Sequence, residues 1–335
     1  MKRVLIVRLD AIGDYILWRN CLRFLRKSEK YRNVHLTVLG NPAWRGIAEA
    51  FDADCADEWI WAEDRNGLFR KSCENLLPYC IWHRRVAAAQ AKAKAALRTR
   101  GFDEVVSPSA FPDSLLDEFV TGIAPVTISV ENGDLGRRAK FSRLVSPGEE
   151  PFVFLHNKAI ASELAGSPCD AQFSLDIGDT HKKAGRILFF DGASHWTRRW
   201  PARRWRELMA MLPAGHSAVF AQKGKSLSDF VRLAASCEAV VSNDTMALHV
   251  AAALGVPAVA VVNGVSGKGS FWPYPESMGK RVEVCMPSRV PSVPIPLIGS
   301  RVAQYMALSS VSARQVANAL HKIMGIAAGN GKRRD

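Results

Sequence analysis

Four short loops contain residues whose types could do chemistry, and each of these loops follows a predicted strand. The first loop, RLDAIGD at residues 8–14, places Gly13 at a sharp turn and Asp14 in the first turn of the next predicted helix. The helix dipole stabilises an ionised carboxylate there, and a fixed carboxylate suits a general base acting on a hydroxyl group. The alternative is that Asp14 only caps the helix.

The second loop, DGASHWTRRWP at residues 191–201, contains two arginines that precede a predicted helix beginning at Pro201. Arg198 and Arg199 can present their guanidinium groups to phosphate oxygens, and a diphosphate suits this geometry. Arg203, Arg204 and Arg206 follow inside the helix and are interpreted as a solvated face.

The third loop, SNDTMALH at residues 242–249, has Asn243 or Asp244 as the predicted cap of a helix. Helix amino termini bind phosphate through backbone amides, here predicted to be those of Thr245, Met246 and Ala247. His249 lies one turn further on, where it either reaches the same ligand or forms a hydrogen bond in the core.

The fourth loop, KGKS at residues 223–226, resembles the end of a phosphate-binding P-loop. The full pattern fails because Val219 stands where a P-loop requires glycine. The glycine-rich run at 264–270 matches neither the P-loop nor the dinucleotide fingerprint, so an NTPase or a dehydrogenase loses most of its support. Lys225 is retained as a candidate phosphate-binding residue.

Strands alternate with helices along most of the sequence, which predicts an α/β fold of two doubly wound parallel sheets. The pattern weakens between about residues 132 and 184, and a helix at 245–254 is followed by the Gly255-Val256-Pro257 stop. We predict an N-terminal domain at 1–180, a C-terminal domain at 181–328 and a disordered tail at 329–335. Ligands are expected where the carboxyl ends of both sheets meet across a cleft.

Composition narrows the possible partners of this 335-residue chain, whose formal net charge is +13. The charge implies attraction to something anionic, namely nucleic acid, phospholipid, nucleotide or phosphorylated glycan, although a solvated basic surface is the plainer alternative. The amino terminus reads as a first strand and not as a signal peptide. Seven scattered cysteines without a C-x-x-C pair indicate reduced thiols in the cytoplasm, and no spacing suggests a bound metal.

Three segments together resemble glycosyltransferase family 9, the ADP-heptose:lipopolysaccharide heptosyltransferase-like proteins. They are VLIVRLDAIGDYIL at 4–17, TRRWPARRWREL at 197–208 and VSNDTMALHVAAALGVPAVAVVNG at 241–264. The resemblance implies a GT-B fold of two Rossmann-like domains, with the acceptor in the N-terminal half and a nucleotide-sugar donor in the C-terminal half. The implied reaction needs no metal and inverts the configuration at the anomeric carbon of the sugar.

The resemblance also implies roles for individual residues. Asp14 becomes the catalytic base, and Arg8, Asp10 and Gly13 of the same loop are expected to contact the acceptor. The donor, most simply an ADP-sugar, is expected to contact Arg198, Arg199, Lys225, Asp244, Thr245, Met246, Ala247 and His249. Two positions depart from the family, since Arg198 replaces its usual lysine and Met246 its usual glycine.

Two hypotheses follow. In the first, the protein assembles lipopolysaccharide or a related surface glycan in the cytoplasm, at the inner face of the membrane, where acceptor glycolipids and leaflet lipids are anionic. In the second, it is a catalytically weakened family member or a basic nucleic-acid-associated binding protein. Only nucleic-acid binding predicts an affinity that falls steeply with salt and does not depend on Asp14.

Overall fold

A computed structural model describes residues 1–62, 79–109, 114–178, 180, 182–222, 224–264, 268–289 and 299–326. The chain divides into two compact units, Met1–Gln172 and Phe173–Asp335. The domain junction expected after residue 180 therefore falls inside the second unit. The predicted tail at 329–335, together with Lys223 and residues 265–267, lies outside the described residues.

The first unit is built on a six-stranded sheet in the order β3-β2-β1-β4-β5-β6. Every pairing between neighbouring strands is parallel. The strands are β1 (Arg3–Arg8), β2 (His35–Gly40), β3 (Glu58–Trp61), β4 (Glu104–Val106), β5 (Val126–Val130) and β6 (Arg143–Val145). Helices alternate with them: α1 (Ile12–Ile16), α2 (Arg19–Lys27), α3 (Arg45–Phe51), α4 (Tyr79–Arg98), α5 (Ser114–Val120), α6 (Leu135–Lys140) and α7 (Val153–Ala165).

The second unit has a five-stranded sheet in the order β11-β10-β9-β7-β8, again with parallel pairings only. Its strands are β7 (Arg186–Phe190), β8 (Ser217–Phe220), β9 (Ala239–Asn243), β10 (Ala258–Val261) and β11 (Val282–Cys285). Its helices are α8 (Ala202–Met209), α9 (Leu227–Ala235), α10 (Met246–Ala253), α11 (Gly299–Ser310) and α12 (Ala313–Met324). The predicted α/β class with two parallel sheets is confirmed.

Continuous apolar runs explain the central strands of both sheets. A parallel strand covered by helices on both faces needs apolar residues at successive positions, not an alternating pattern. The run VLIV at 4–7 in β1 and the run AVAV at 258–261 in β10 are almost completely buried. Because these strands are fixed inside the two cores, the loops at their carboxyl ends begin from rigid positions.

The region of weak pattern at 132–184 contains regular structure that the sequence analysis did not predict, namely α6, β6 and α7. In α7 the apolar periodicity is interrupted by Asn157, which is buried. Its side-chain amide donates a hydrogen bond of 2.9 Å to the Leu17 carbonyl. A buried polar group that has such a partner is tolerated in a core, but it weakens the sequence signal for an amphipathic helix.

Within the part of the chain that the structure describes, no helix combines the length and apolar character needed to cross a bilayer.

Candidate functional site

Asp14 lies where the sequence places it, in the first turn of α1, directly after the loop that leaves β1. The side chain is partly exposed, and its Oδ2 accepts a hydrogen bond of 3.1 Å from the Ala11 amide. The capping contact of the alternative interpretation is therefore present. It uses one of several acceptor positions of an ionised carboxylate, so the same group can also accept a proton from a hydroxyl.

Arg8 and Asp10 of the same loop form an ion pair, with 2.7 Å between Arg8 Nε and Asp10 Oδ2. Arg8 is buried, its Nη1 donates to the Pro108 carbonyl, and its guanidinium lies 5.2 Å from the centre of the Trp18 ring. These contacts fix the end of β1 against the loop that follows β4. A contact of Arg8, Asp10 or Gly13 with an acceptor stays a prediction.

Asn41, which follows β2, holds the Asp14 loop from the neighbouring strand. Its buried side-chain amide donates to the carbonyl of Asp10 at 2.7 Å and to that of Leu9 at 3.5 Å. Its Oδ1 accepts from the Ala43 amide at 3.0 Å. The loop that carries the candidate base is thus fixed both by an ion pair and by a buried amide.

In the second unit, Arg198 connects the loop after β7 with the loop after β9. It ends a short 3-10 helix at Trp196–Arg198. Its Nη1 donates to the Asp244 carbonyl at 3.3 Å and lies 3.9 Å from Asp244 Oδ2, while Nη2 donates to Ser194 Oγ. The structure therefore brings two of the predicted donor-binding residues together.

Asp244 is mostly buried, and burial raises the pKa of its carboxyl above the usual range, an effect that Arg198 partly offsets. Desolvation disfavours the charged form of a carboxyl, whereas a nearby guanidinium favours it. Arg198 is about one third exposed by side chain. It can therefore meet a ligand from solvent while it stays beside Asp244.

Thr245 caps α10, so the expectation that Asn243 or Asp244 would do so is wrong. Its Oγ1 accepts from the Ala247 amide at 3.3 Å, and the helix begins at Met246, one residue later than predicted. The physical reason is that β9 extends through Asn243, which leaves Asp244 as the turn residue. The Ala247 amide donates to this cap, and a contact of Thr245, Met246 or Ala247 with a phosphate stays a prediction.

Asn243, the last residue of β9, has a different and more extensive role. Its fully buried amide donates to the carbonyls of Asp191 and Gly192 at 2.7 and 3.3 Å. Its Oδ1 accepts from the Trp200 amide at 3.0 Å. Both ends of the arginine loop are therefore bound to the strand that leads into α10. The sequence offered one signal for this, the polar pair Ser242 and Asn243 at the end of a strand that is otherwise apolar.

His249 is buried in α10, and its Nδ1 lies 2.6 Å from the hydroxyl of Tyr274. Burial lowers the pKa of His249 to about 4, so the ring is neutral at pH 7. The hydrogen bond in the core that the sequence allowed is present. A direct contact of His249 with a ligand stays a prediction.

The remaining candidates lie nearer to solvent. Arg199 is exposed, and its Nε donates to the Ala193 carbonyl at 3.1 Å. Lys225 is exposed in the loop before α9. Met246 is partly buried in the first turn of α10. Over the described ranges, no group of three or more His, Cys, Asp or Glu side chains could hold a metal ion.

Comparison with known proteins agrees with the resemblance. Residues 223–286 match the model of glycosyltransferase family 9 (heptosyltransferase), a range that includes Lys225, the loop after β9 and α10. No curated protein matches the sequence.

Solved structures of heptosyltransferases and of a family 9 glycosyltransferase share the fold along almost the whole chain. The Escherichia coli heptosyltransferase WaaC with ADP-2-deoxy-2-fluoro heptose superposes with a TM-score of 0.68 at 16% identity, covering 96% of this chain and 99% of that one. A family 9 glycosyltransferase from Veillonella parvula DSM 2008 superposes with a TM-score of 0.66 at 17% identity, covering 96% of this chain and 97% of that one. E. coli ADP-heptose lps heptosyltransferase II superposes with a TM-score of 0.61 at 17% identity, covering 97% of this chain and 98% of that one. The chain therefore has the GT-B fold of heptosyltransferases.

Proposed function

We propose that this heptosyltransferase-like protein is an inverting glycosyltransferase that moves a heptose or related sugar from a nucleoside-diphosphate sugar to an anionic surface-glycan acceptor, such as a lipopolysaccharide precursor. The observation that carries the proposal is the contact between Arg198 and Asp244 at the start of α10. It joins a cation to a helix amino terminus within the unit that contains the family match. That combination suits a diphosphate.

The donor is proposed to be an ADP-sugar. Two of the solved structures with this fold contain ADP or an ADP-heptose analogue. Arg198 can neutralise charge on the leaving diphosphate, and the amino terminus of α10 adds its dipole. We expect these groups to stabilise the leaving group without a divalent metal, so that a chelator leaves turnover unchanged.

Asp14 is proposed as the general base. Its carboxylate takes the proton of the acceptor hydroxyl, whose oxygen forms a bond to the anomeric carbon as the bond to the diphosphate breaks. The electron pair leaves with ADP, and the anomeric configuration inverts because attack and departure occur on opposite faces. The fixed position of the loop contributes as much as the basicity of the carboxylate, because it holds the base in place for the acceptor hydroxyl.

The net charge of +13 agrees with this acceptor class. Anionic lipids of the inner leaflet attract basic proteins by about 1 kcal/mol per lysine or arginine near the surface. We therefore propose that the protein works in the cytoplasm in peripheral contact with the membrane.

The test is nucleotide release from a panel of nucleoside-diphosphate sugars in the presence of a glycolipid extract, with wild type and Asp14→Ala. We expect release with an ADP-sugar, and a fall of about a hundredfold or more in the variant, the usual contribution of a general base. Equal turnover in both proteins would remove Asp14 as the base. Failure of every donor to bind, combined with salt-sensitive binding of nucleic acid, would favour the binding-protein alternative.

A further inference from the structure

Asn243 is the residue through which the two loops of the donor unit are joined at their bases. The loop after β7 carries Arg198, and the loop after β9 carries Asp244 and leads into α10. The two strands are neighbours in the sheet, with Phe190 paired to Ser242. Asn243 bonds the first residues after β7, at Asp191 and Gly192, and also the last part of that loop, at Trp200.

An amide side chain can form all three hydrogen bonds, whereas the carboxylate of the same shape cannot. The nitrogen donates to two carbonyl oxygens while the oxygen accepts from a backbone amide, so both kinds of group are used at once. A carboxylate at this position would keep the bond to the Trp200 amide but would face two carbonyl oxygens without a proton to donate. The Asn243 side chain is completely buried, so a carboxylate there has no solvent contact of its own to relieve that repulsion.

We propose that Asn243 is a positioning residue that fixes the spacing between Arg198 and the amino terminus of α10, and thereby makes the site select a nucleoside diphosphate over a monophosphate. This inference rests on the proposed donor function. A diphosphate has two phosphoryl groups and can contact both loops at once, so its affinity depends on their separation. A monophosphate needs contact with only one loop, and its affinity is insensitive to that separation.

The experiment is calorimetric titration of the full-length protein with ADP and with AMP, for wild type and Asn243→Asp. We expect the variant to bind ADP at least about tenfold more weakly, because repulsion at position 243 moves apart the two loops that a diphosphate has to contact together. AMP affinity is expected to change less than about twofold. The ratio of the two affinities is the informative quantity, since general damage to the fold would weaken both nucleotides alike.

Asn41→Asp is the matched control. Asn41 is likewise buried, and it likewise donates to two carbonyls of a neighbouring loop and accepts from an amide, but it belongs to the first unit. We expect it to lower thermal stability by a similar amount and to leave the preference for ADP unchanged. If Asn243→Asp does not fold, Asn243→Ser replaces it, since a hydroxyl can donate only one of the two bonds.

The outcomes separate the inference from the proposed function. Failure of the wild type to bind ADP overturns the donor proposal, and the positioning role with it. A wild type that prefers ADP, together with a folded Asn243 variant that keeps the full preference, overturns only the positioning role. An equal loss of preference in Asn41→Asp would also overturn it, because the effect would then be a general response to a buried carboxylate.

Discussion

Arg198 is held by neighbouring oxygens and is still about one third exposed by side chain. An anionic ligand can therefore reach its guanidinium group from solvent. We predict that Arg198→Ala weakens ADP binding about ten- to a hundredfold, the range of one or two charge-assisted hydrogen bonds. Arg198→Lys should lose less, because lysine keeps the charge but not the planar fork. Calorimetry measures this, with exposed Arg206→Ala on α8 as the control. Unchanged ADP affinity in Arg198→Ala would exclude the residue from the donor site.

The neutral state of His249 makes the stability of the protein sensitive to acid. The pKa of His249 is about 4 in the folded chain, against about 6.5 in an unfolded one. Between these values the unfolded state binds more protons, so the free energy of unfolding is lowered as the pH falls from 6.5 to 4, by up to about 1.4 kcal/mol per pH unit.

Denaturant titrations across this pH range test the role of His249. His249→Asn should reduce the slope of the free energy of unfolding against pH, because the difference in bound protons between the unfolded and folded states becomes smaller by about one. Tyr274→Phe is the informative control, because it removes the hydrogen bond but leaves the buried ring able to titrate. It should keep the slope, whereas an unchanged slope in His249→Asn would show that other groups cause the acid sensitivity.

At the scale of elements, the end of β2 depends on the absence of a side chain at Gly40. Gly40 pairs with Arg8 on one side and Trp61 on the other, at the edge where the Asp14 loop begins. An added Cβ would lie 2.3 Å from Trp44 Cη2 and 2.7 Å from the Trp61 ring. Trp44 is itself fully buried and stacked on Tyr15, the residue after Asp14, so it has no room to move.

We predict that Gly40→Ala lowers the free energy of unfolding by about 1–3 kcal/mol, the usual effect of overpacking a core. Gly136→Ala is the comparison, since its Cβ would meet only the Asp134 carboxylate, at 3.2 Å. Urea titration of both variants gives the difference. A Gly40 variant as stable as the Gly136 variant would show that the tryptophans repack without cost.

How far the sequence predicts these elements depends on whether the signal is local. The strands of the two cores and the loops with Asp14, Arg198 and Asp244 were predictable, because apolar runs and turn residues are read from neighbouring positions. The cap at Thr245 and the bonds of Asn243 were not. Each depends on where a strand ends, and the partners of Asn243 lie some fifty residues away in the chain.

At the scale of the whole molecule, two α/β units, each with its own parallel sheet, provide one part each of the proposed chemistry. The first carries the candidate base and the second the candidate diphosphate site. The alternation of strands and helices was enough to predict two parallel sheets, but it missed α6, β6 and α7 of the first unit. The order of the motifs was enough to indicate a resemblance to glycosyltransferase family 9, and the model of that family matches residues 223–286.

The most direct test of the account is the configuration of the transferred sugar. An ADP-sugar labelled with carbon-13 at the anomeric carbon is incubated with the protein and a glycolipid acceptor, and the product is followed by NMR. We predict a product with the anomeric configuration opposite to that of the donor, and almost no product with Asp14→Asn, which keeps an oxygen to accept from the Ala11 amide but cannot act as a base. Retention of configuration, or undiminished transfer by Asp14→Asn, would contradict the account.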